Sequence, residues 1–318
     1  MDPSVLAPTP VPAFDVQLAA PDLRDWLAGN TGVPGFTSVE GALPGPHVAL
    51  VALTHGNEFA GAIALDRLLR GGLRPMRGRL TLGFANLAAF ARFDPARPTA
   101  SRFLDEDMNR VWDPTVLDGP RRSAELDRAR EMRPLMDGVD VLLDLHSMLW
   151  PSEPLILSGP TAKGRALAGG IGLPALVVAD KGHVSGPRLI DYVPFIDSAH
   201  PARACLVEAG QHWNAATVDV TEGCIAGLLG HLGITDTVPP AAPERPRLAE
   251  VTVVVTAATG GFTFLQAFQG GDVIPRRNTL IALDGAAEIR TPYDDCLLVM
   301  PSLRPSRGHT AVRLARFV

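Results

Sequence analysis

Lysine is almost missing from this 318-residue chain: Lys163 and Lys181 are the only two, against 29 Lys plus Arg in all. Basic residues form no run, and the formal net charge is −5. A cationic footprint for a phosphate backbone is therefore lacking, which argues against nucleic acid as a partner. Cysteine is scarce too. Cys205, Cys224 and Cys296 are odd in number and without CxxC spacing, so neither a disulfide framework nor a cysteine-rich metal site is expected. Nowhere do 18 apolar residues follow one another, which excludes a membrane-spanning helix and predicts no membrane partner. Residues 1–14 hold Asp2 and four prolines but no cationic n-region and no apolar h-region. A reducing cytoplasm is the expected compartment. Glycine (31) and proline (29) are plentiful but show no G-X-Y period, so the chain is turn-rich without being collagenous.

Several common motifs are absent as well. There is no GxxxxGK[ST] loop, no GxSxG elbow and no HExxH helix. A GxGxxA match at 170–175 precedes an apolar run instead of following one, so it cannot cradle a phosphate at a strand-to-helix turn.

What is present is an alternation of strands and helices. Residues 47–54 (HVALVALT) form a continuous apolar run of the length of a strand buried on both faces. Residues 58–70 then carry Phe59, Ile63, Leu68 and Leu69 at helical spacing and stop at Gly71-Gly72. Further strands are predicted at 80–84, 139–146, 155–157, 175–179 and 204–208, with helices at 123–137, 161–169 and 215–232. The segment 18–45 reads as turn-rich. This pattern predicts an α/β fold with a mixed, largely parallel sheet flanked by helices. Its character changes at Pro239, Pro240 and Pro243. Beyond them, short strands at 251–255, 263–267, 280–283 and 296–300 are separated by Gly, Pro and Asp turns. Two domains are expected: residues 1–240, opening with a proline-rich arm over 1–17, and a small all-β domain over 245–318 covering or flanking the active site.

The chemistry-bearing residues fall at the ends of the predicted strands. His55-Gly56-Asn57-Glu58 sits where the first buried strand turns into its helix, and ligands of open α/β sheets bind beyond the carboxyl ends of strands. His146 closes the predicted strand 139–146 and can reach the same sheet edge. Two imidazoles and one carboxylate are a known ligand set for catalytic zinc, with a fourth position left for water. Glu208 ends a third apolar strand, where a carboxylate can serve as general base. Arg102 and Arg110 lie eight residues apart in one partly polar loop, and their guanidinium forks suit a substrate carboxylate or a developing oxyanion.

Taken together, H-G-N-E at 55–58, D-E-D-M-N-R at 105–110, D-L-H-S at 144–147 and L-V-E-A-G-Q-H at 206–212 make the chain resemble the succinylglutamate desuccinylase/aspartoacylase family, relatives of the zinc carboxypeptidases. The four motifs stand in the family's order. That resemblance implies one zinc ion per chain on His55, Glu58 and His146, Glu208 as base, and Arg102 beside the polarised carbonyl oxygen. It also implies that Asn109 and Arg110 bind the substrate carboxylate and that Asp107 orients His55 through its other ring nitrogen. The implied function is removal of the acyl group from an N-acyl amino acid or similar small amide.

Each residue also has a plainer reading. His55 and Glu58 would serve as a helix-start pair, His146 as a hydrogen-bonded core histidine, Glu208 as an ion-pair partner, and the two arginines as structural ions. Trp150, Trp213 and Tyr293 are candidate pocket walls, and Lys181, His183 and Arg188 lie in a glycine-rich loop able to meet the acyl group. Two alternatives to the deacylase share its residues: a metallocarboxypeptidase acting on peptide C-termini, and a catalytically silent zinc or ligand-binding protein. The acyl group, the amino acid and the oligomeric state, homo-oligomers included, stay open at this level.

Overall fold

A computed structural model describes residues 14–236 and 246–318. The proline-rich arm as far as residue 13, and the predicted linker prolines, lie outside the described residues. Fourteen strands are present among those described: β1 (Phe36–Glu40), β2 (Leu43–Ala52), β3 (Arg77–Phe84), β4 (Val141–Met148), β5 (Leu155–Leu157), β6 (Leu176–Ala179), β7 (Arg203–Gln211), β8 (Arg247–Thr256), β9 (Phe262–Phe264), β10 (Val273–Ile274), β11 (Leu280–Asp284), β12 (Ala287–Arg290), β13 (Cys296–Val299) and β14 (Thr310–Phe317). The α-helices are α1 (Ala60–Arg70), α2 (Leu87–Phe90), α3 (Pro114–Leu117), α4 (Ala124–Met136), α5 (Ala162–Ile171), α6 (Val193–Ile196) and α7 (Ala215–His231).

Eleven strands form one sheet in the order β1-β3-β2-β4-β7-β5-β6-β8-β14-β13-β10. Its centre is parallel: β2 pairs with β3 and β4, and β4 with β7. β5 runs antiparallel to β7 but parallel to β6, and β6 parallel to β8. From β8 onward the sheet turns antiparallel through β14, β13 and β10, and β12-β11-β9 make a small second sheet. The fold is thus mixed α/β, as the alternation of patterns predicts.

The apolar run in β2 is buried on both faces because successive side chains of a strand alternate. Ala49 and Val51 pack into one core, while Val48, Leu50 and Ala52 pack into the other. Each such valine or leucine, fully removed from water, contributes about 1.5–3 kcal/mol. Short polar residues close the helices. Ser123 takes the Leu126 N–H at 3.0 Å to start α4, and Thr161 takes the Gly164 N–H at 3.0 Å to start α5.

Three local departures from the sequence pattern have physical causes. β1 lies inside the segment read as turn-rich and pairs antiparallel with β3 at the sheet edge, a partnership with residues about 40 positions away that no local pattern carries. β14 is mostly buried, but Thr310, Arg313 and Arg316 interrupt its apolar residues, which hides it from a search for long apolar runs. β4 and β7 continue past His146 and Glu208 to Met148 and Gln211. Their pairing slips between His146 and Met148, where Gly210 adopts φ +135°. The two functional candidates therefore flank a bulge rather than a strand end, a device that re-aims side chains next to sites.

Candidate active site

The turn after β2 is set by backbone requirements. Leu53 is fully buried at φ +62°, a left-handed conformation uncommon for a non-glycine residue. Its carbonyl receives the Asn86 N–H at 2.8 Å, and the Ala52 carbonyl receives the Ala85 N–H at 2.8 Å. Gly56 donates its N–H to the Arg102 carbonyl at 3.0 Å, and a Cβ there would strike the backbone of Ala89, Phe90 and Ser101. The turn is held from below by Trp213, whose indole N–H donates to the Asn57 carbonyl at 3.1 Å. Phe14 stacks edge-on against Trp150 and Trp213, so those two tryptophans pack on the opening of the chain.

His55, Glu58 and His146 converge. One ligand atom from each lies within 4.8 Å of the others, and all three side chains are buried. His55 Nδ1 lies 2.8 Å from Glu58 Oε1 yet has no hydrogen-bond partner, an orphaned buried nitrogen aimed at a carboxylate. His146 Nδ1 meets Glu58 Oε2 at 3.0 Å, and the Ser147 N–H donates to the same oxygen at 3.1 Å. Burial would raise the Glu58 pKa, but His55 and His146 bring it well below the usual carboxylate range. Burial works against charging His146 too, and the Asp144 and Glu58 carboxylates nevertheless raise it well above the ordinary imidazole value. An N, N, O donor set with an unpartnered ring nitrogen is the chemistry of a zinc site, so these residues could hold such an ion.

Each ring has a carboxylate behind it, hydrogen-bonded in the case of His55 and at ion-pair distance in the case of His146. His55 Nε2 is 2.9 Å from Asp107 Oδ1, and His146 Nε2 is 2.9 Å from Asp144 Oδ2. Burial opposes ionisation of Asp107, but His55, Arg102 and Arg110 keep it far below the usual range. Asp144 was missed in the sequence, although it stands two residues before His146 on one strand and so shares its face. Thr54 Oγ1 donates to its other oxygen at 3.1 Å.

Glu208 lies opposite His146 in the β4–β7 register. Its Oε2 is buried and has no hydrogen-bond partner. Burial, then the negative charge of Glu58, push its pKa up to about 8, against the lowering influence of His146, Arg102 and Arg313. A carboxyl poised near neutrality beside a ligand set has the properties of a general base. Arg102 Nη1 donates to Glu58 Oε1 at 2.8 Å, and its Nη2 stands 3.6 Å from Asp107 Oδ2.

Asn109 and Arg110 sit in a 3-10 turn over Met108–Arg110, started by Asp107, whose Oδ1 takes the Asn109 N–H at 2.8 Å. Asn109 Oδ1 accepts the Leu189 N–H at 2.8 Å, which leaves its amide nitrogen 3.5 Å from His146 Nε2. Arg110 Nη1 donates to the Asn109 carbonyl at 2.6 Å, and Nη2 is 3.8 Å from Asp107. Burial lowers the Arg110 pKa to about 10, Asp107 opposes this, and Arg102, Arg188 and Arg313 add to the lowering. Glu125, fully buried on α4, holds the loop leading there. Its carboxylate takes the N–H groups of Leu104, Asp105 and Glu106 at 2.6, 3.0 and 3.2 Å. No local pattern singles out that residue.

The remaining candidates separate. Arg188 is buried and locked by Asp180 and Asp191, with four N–O distances of 2.7–3.1 Å, so it is a structural ion here. His212 is buried beside the ligands, with Nδ1 2.8 Å from Ser147 Oγ, and burial lowers its pKa to about 3. Tyr293 bonds Thr252 at 2.7 Å and lies under Arg316, on the C-terminal strands.

Fold and side chains together define an α/β protein with a buried His–Glu–His group, able to hold a metal ion, at the carboxyl ends of the parallel central strands. Residues 44–185 match the Succinylglutamate desuccinylase/Aspartoacylase catalytic domain. The matched segment is less than half of the chain and is similar to that catalytic domain. It contains His55, Glu58, Arg102, Asp107, Asn109, Arg110, Asp144 and His146 but not Glu208. Among curated proteins no relative matches the chain. Solved structures with the same fold include a succinylglutamate desuccinylase/aspartoacylase from Rhodobacter sphaeroides, at TM-score 0.66 and 20% identity over 89% of this chain and 88% of that one. A succinylglutamate desuccinylase from Vibrio cholerae is similar at TM-score 0.70 and 19% identity over 90% and 86%. One from Chromobacterium violaceum reaches TM-score 0.63 and 21% identity over 90% and 89%. At such identities the likeness is one of fold. Among the described residues no helix is long and apolar enough to cross a membrane.

Proposed function

We propose that this protein is a zinc-dependent amidohydrolase that removes the acyl group from an N-acyl amino acid or a similar small amide. The observation that carries this reading is the convergence of His55, Glu58 and His146, with the buried carboxyl of Glu208 next to them.

His55 and His146 through Nδ1, and Glu58 through its carboxylate, would hold one zinc ion. Such an ion supplies Lewis acidity toward the scissile carbonyl and acidifies a water. The chain's own groups account for the rest. The guanidinium of Arg110 and the amide nitrogen of Asn109 bind the substrate carboxylate, converting a bimolecular encounter into a positioned one. Arg102 donates to the carbonyl oxygen as negative charge develops on it, a stabilisation strengthened by the partly dry surroundings. Glu208 takes a proton from the attacking water onto its unpartnered Oε2 and returns it to the leaving nitrogen. Asp107 and Asp144 fix the two rings with Nδ1 turned inward.

The deciding assay offers the zinc-loaded protein a panel of N-acylated amino acids beside short peptides with free C-termini. Release of free amino acid from the acylated panel, dependent on zinc and suppressed by a chelator, is the expected result. Cleavage of peptides alone would replace this reading with a carboxypeptidase. Turnover of neither would leave a silent binding protein.

A further inference from the structure

Residues 101–110 carry Arg102, Asp107, Asn109 and Arg110 to the site on a loop whose regular structure is the 3-10 turn Met108–Arg110. So short a turn does not fix its own distance from the turn that carries His55 and Glu58. A direct link is the bond from the Gly56 N–H to the Arg102 carbonyl, at 3.0 Å. A second link runs through two buried side chains, Glu125 and Asn86, which are 0% and 3% exposed.

Glu125 Oε1 accepts the Leu104 N–H at 2.6 Å and the Asn86 side-chain N–H at 3.0 Å. Its Oε2 accepts the N–H groups of Asp105 at 3.0 Å and Glu106 at 3.2 Å. Asn86 is in turn tied to the end of β2. Its backbone N–H donates to the Leu53 carbonyl at 2.8 Å, two residues before His55, and its Oδ1 accepts the Ala89 N–H at 3.1 Å. One carboxylate thus connects the turn of the proposed ligands to the loop of the arginines. Further bonds lace the loop to the start of α4: Asp105 Oδ2 takes the Ala124 N–H at 2.8 Å, and Glu106 meets Ser123 Oγ at 2.5 Å and Arg121 at 3.0 Å. Those bonds reach solvent, where water can replace them, whereas a buried carboxylate deprived of its donors carries the full cost of desolvation. Glu125 is therefore the member that decides where the loop sits.

We propose that Glu125 is a positioning residue for the active site, acting with Asn86 to hold residues 104–110, and with them Asn109 and Arg110, at the reach a substrate carboxylate requires. This inference rests on the deacylase reading. Arg102 depends on Glu125 less, because its own carbonyl is bonded to Gly56. Loosening the connection thus weakens substrate capture more than the chemical step.

The experiment compares the wild type with Glu125→Gln and Asn86→Asp at saturating zinc, on the best substrate of the N-acylated panel. Glu125→Gln keeps the shape, but whichever oxygen becomes the amide nitrogen then faces two N–H groups. Asn86→Asp keeps the acceptor for Ala89 and removes the donor to Glu125. In Glu125→Gln, KM should rise by about 10- to 100-fold with a smaller change in kcat, the scale of a misplacement of about 1 Å, and Asn86→Asp should fall between it and the wild type. Amide hydrogen exchange reads the same event without turnover: protection over 104–110 should drop in Glu125→Gln while β2, β4 and β7 exchange as in the wild type. A wild-type KM, or unchanged exchange over 104–110, overturns the proposal. Exchange that quickens throughout the molecule also overturns it, since the residue then serves the fold as a whole. If Glu125→Gln does not fold, Asn86→Asp is judged by the same two criteria. If the wild type hydrolyses no N-acyl amino acid, the deacylase reading fails on its own, and the exchange measurement alone judges Glu125.

Discussion

His146 and Glu208 are cross-strand partners on the adjacent parallel strands β4 and β7, so a ligand candidate and a base candidate are placed side by side by sheet register. The slip in pairing just beyond them, at Gly210, sets how both side chains leave the sheet. Their relation makes the site sensitive to changes that alter charge without altering shape.

Glu208→Gln keeps the volume and removes the proton acceptor. Turnover should fall by about 100- to 10,000-fold, the range attached to positioned acid–base groups. Zinc content, measured by elemental analysis, should remain that of the wild type. Near-normal turnover in this variant would remove Glu208 from the mechanism.

The same substitution has a thermodynamic signature in metal-free protein. Glu208 has a folded pKa near 8, raised first by burial and then by Glu58, above its ordinary value of 4.5. The folded state thus holds more protons than the unfolded chain between those values, and the stability this provides is lost as pH rises from about 5 to 8. Relative to wild type, metal-free Glu208→Gln should gain in melting temperature across that window. A difference that stays flat with pH would contradict the raised pKa.

Asp107→Asn and Asp144→Asn leave all three proposed ligands in place but weaken the anchoring of one ring each. Zinc affinity should drop about 10- to 100-fold in either, as for other carboxylates behind metal-bound histidines. Competition with a chromophoric chelator measures it. Equal affinity to the wild type would show that ring orientation is fixed elsewhere.

At Gly56 the constraint is steric. Gly56→Ala places a methyl against three stretches of backbone, which cannot move aside as a flexible side chain could. The expected cost is about 3 kcal/mol, at the upper end of overpacking, read as a lower denaturant midpoint together with weaker zinc binding. A variant as stable as the wild type would mean that the turn after β2 is looser than its contacts indicate.

Much of the fold was legible because its signals are local. The apolar run at 47–54, the helical spacing at 58–70 and the helical patterns at 123–137 and 161–169 each follow from residues close in the chain. Asp144 was legible in principle, by the two-residue period of a strand. Glu125 was not, because its role is to collect three N–H groups from a loop about twenty residues earlier, and an acidic residue in the first turn of a helix looks the same whether buried or wet. Arg188 shows the reverse: its position in a glycine-rich loop suggested substrate contact, and two carboxylates brought by tertiary packing tie it up instead.

By itself the sequence determined which chemistry was available: which side chains can ligate, donate or accept, and which segments prefer strand or helix, since these depend on residue type and on spacing within a turn or two. The tertiary structure decided which of those groups meet. Strand order and register bring His55, His146 and Glu208 together from segments about 150 residues apart, leave Arg313 without a counter-ion among the described residues, and give Arg188 two. Those outcomes depend on how buried surfaces fit across the whole sheet, and charges separated by more than about 10 Å in a wet, unfolded chain are largely screened from one another.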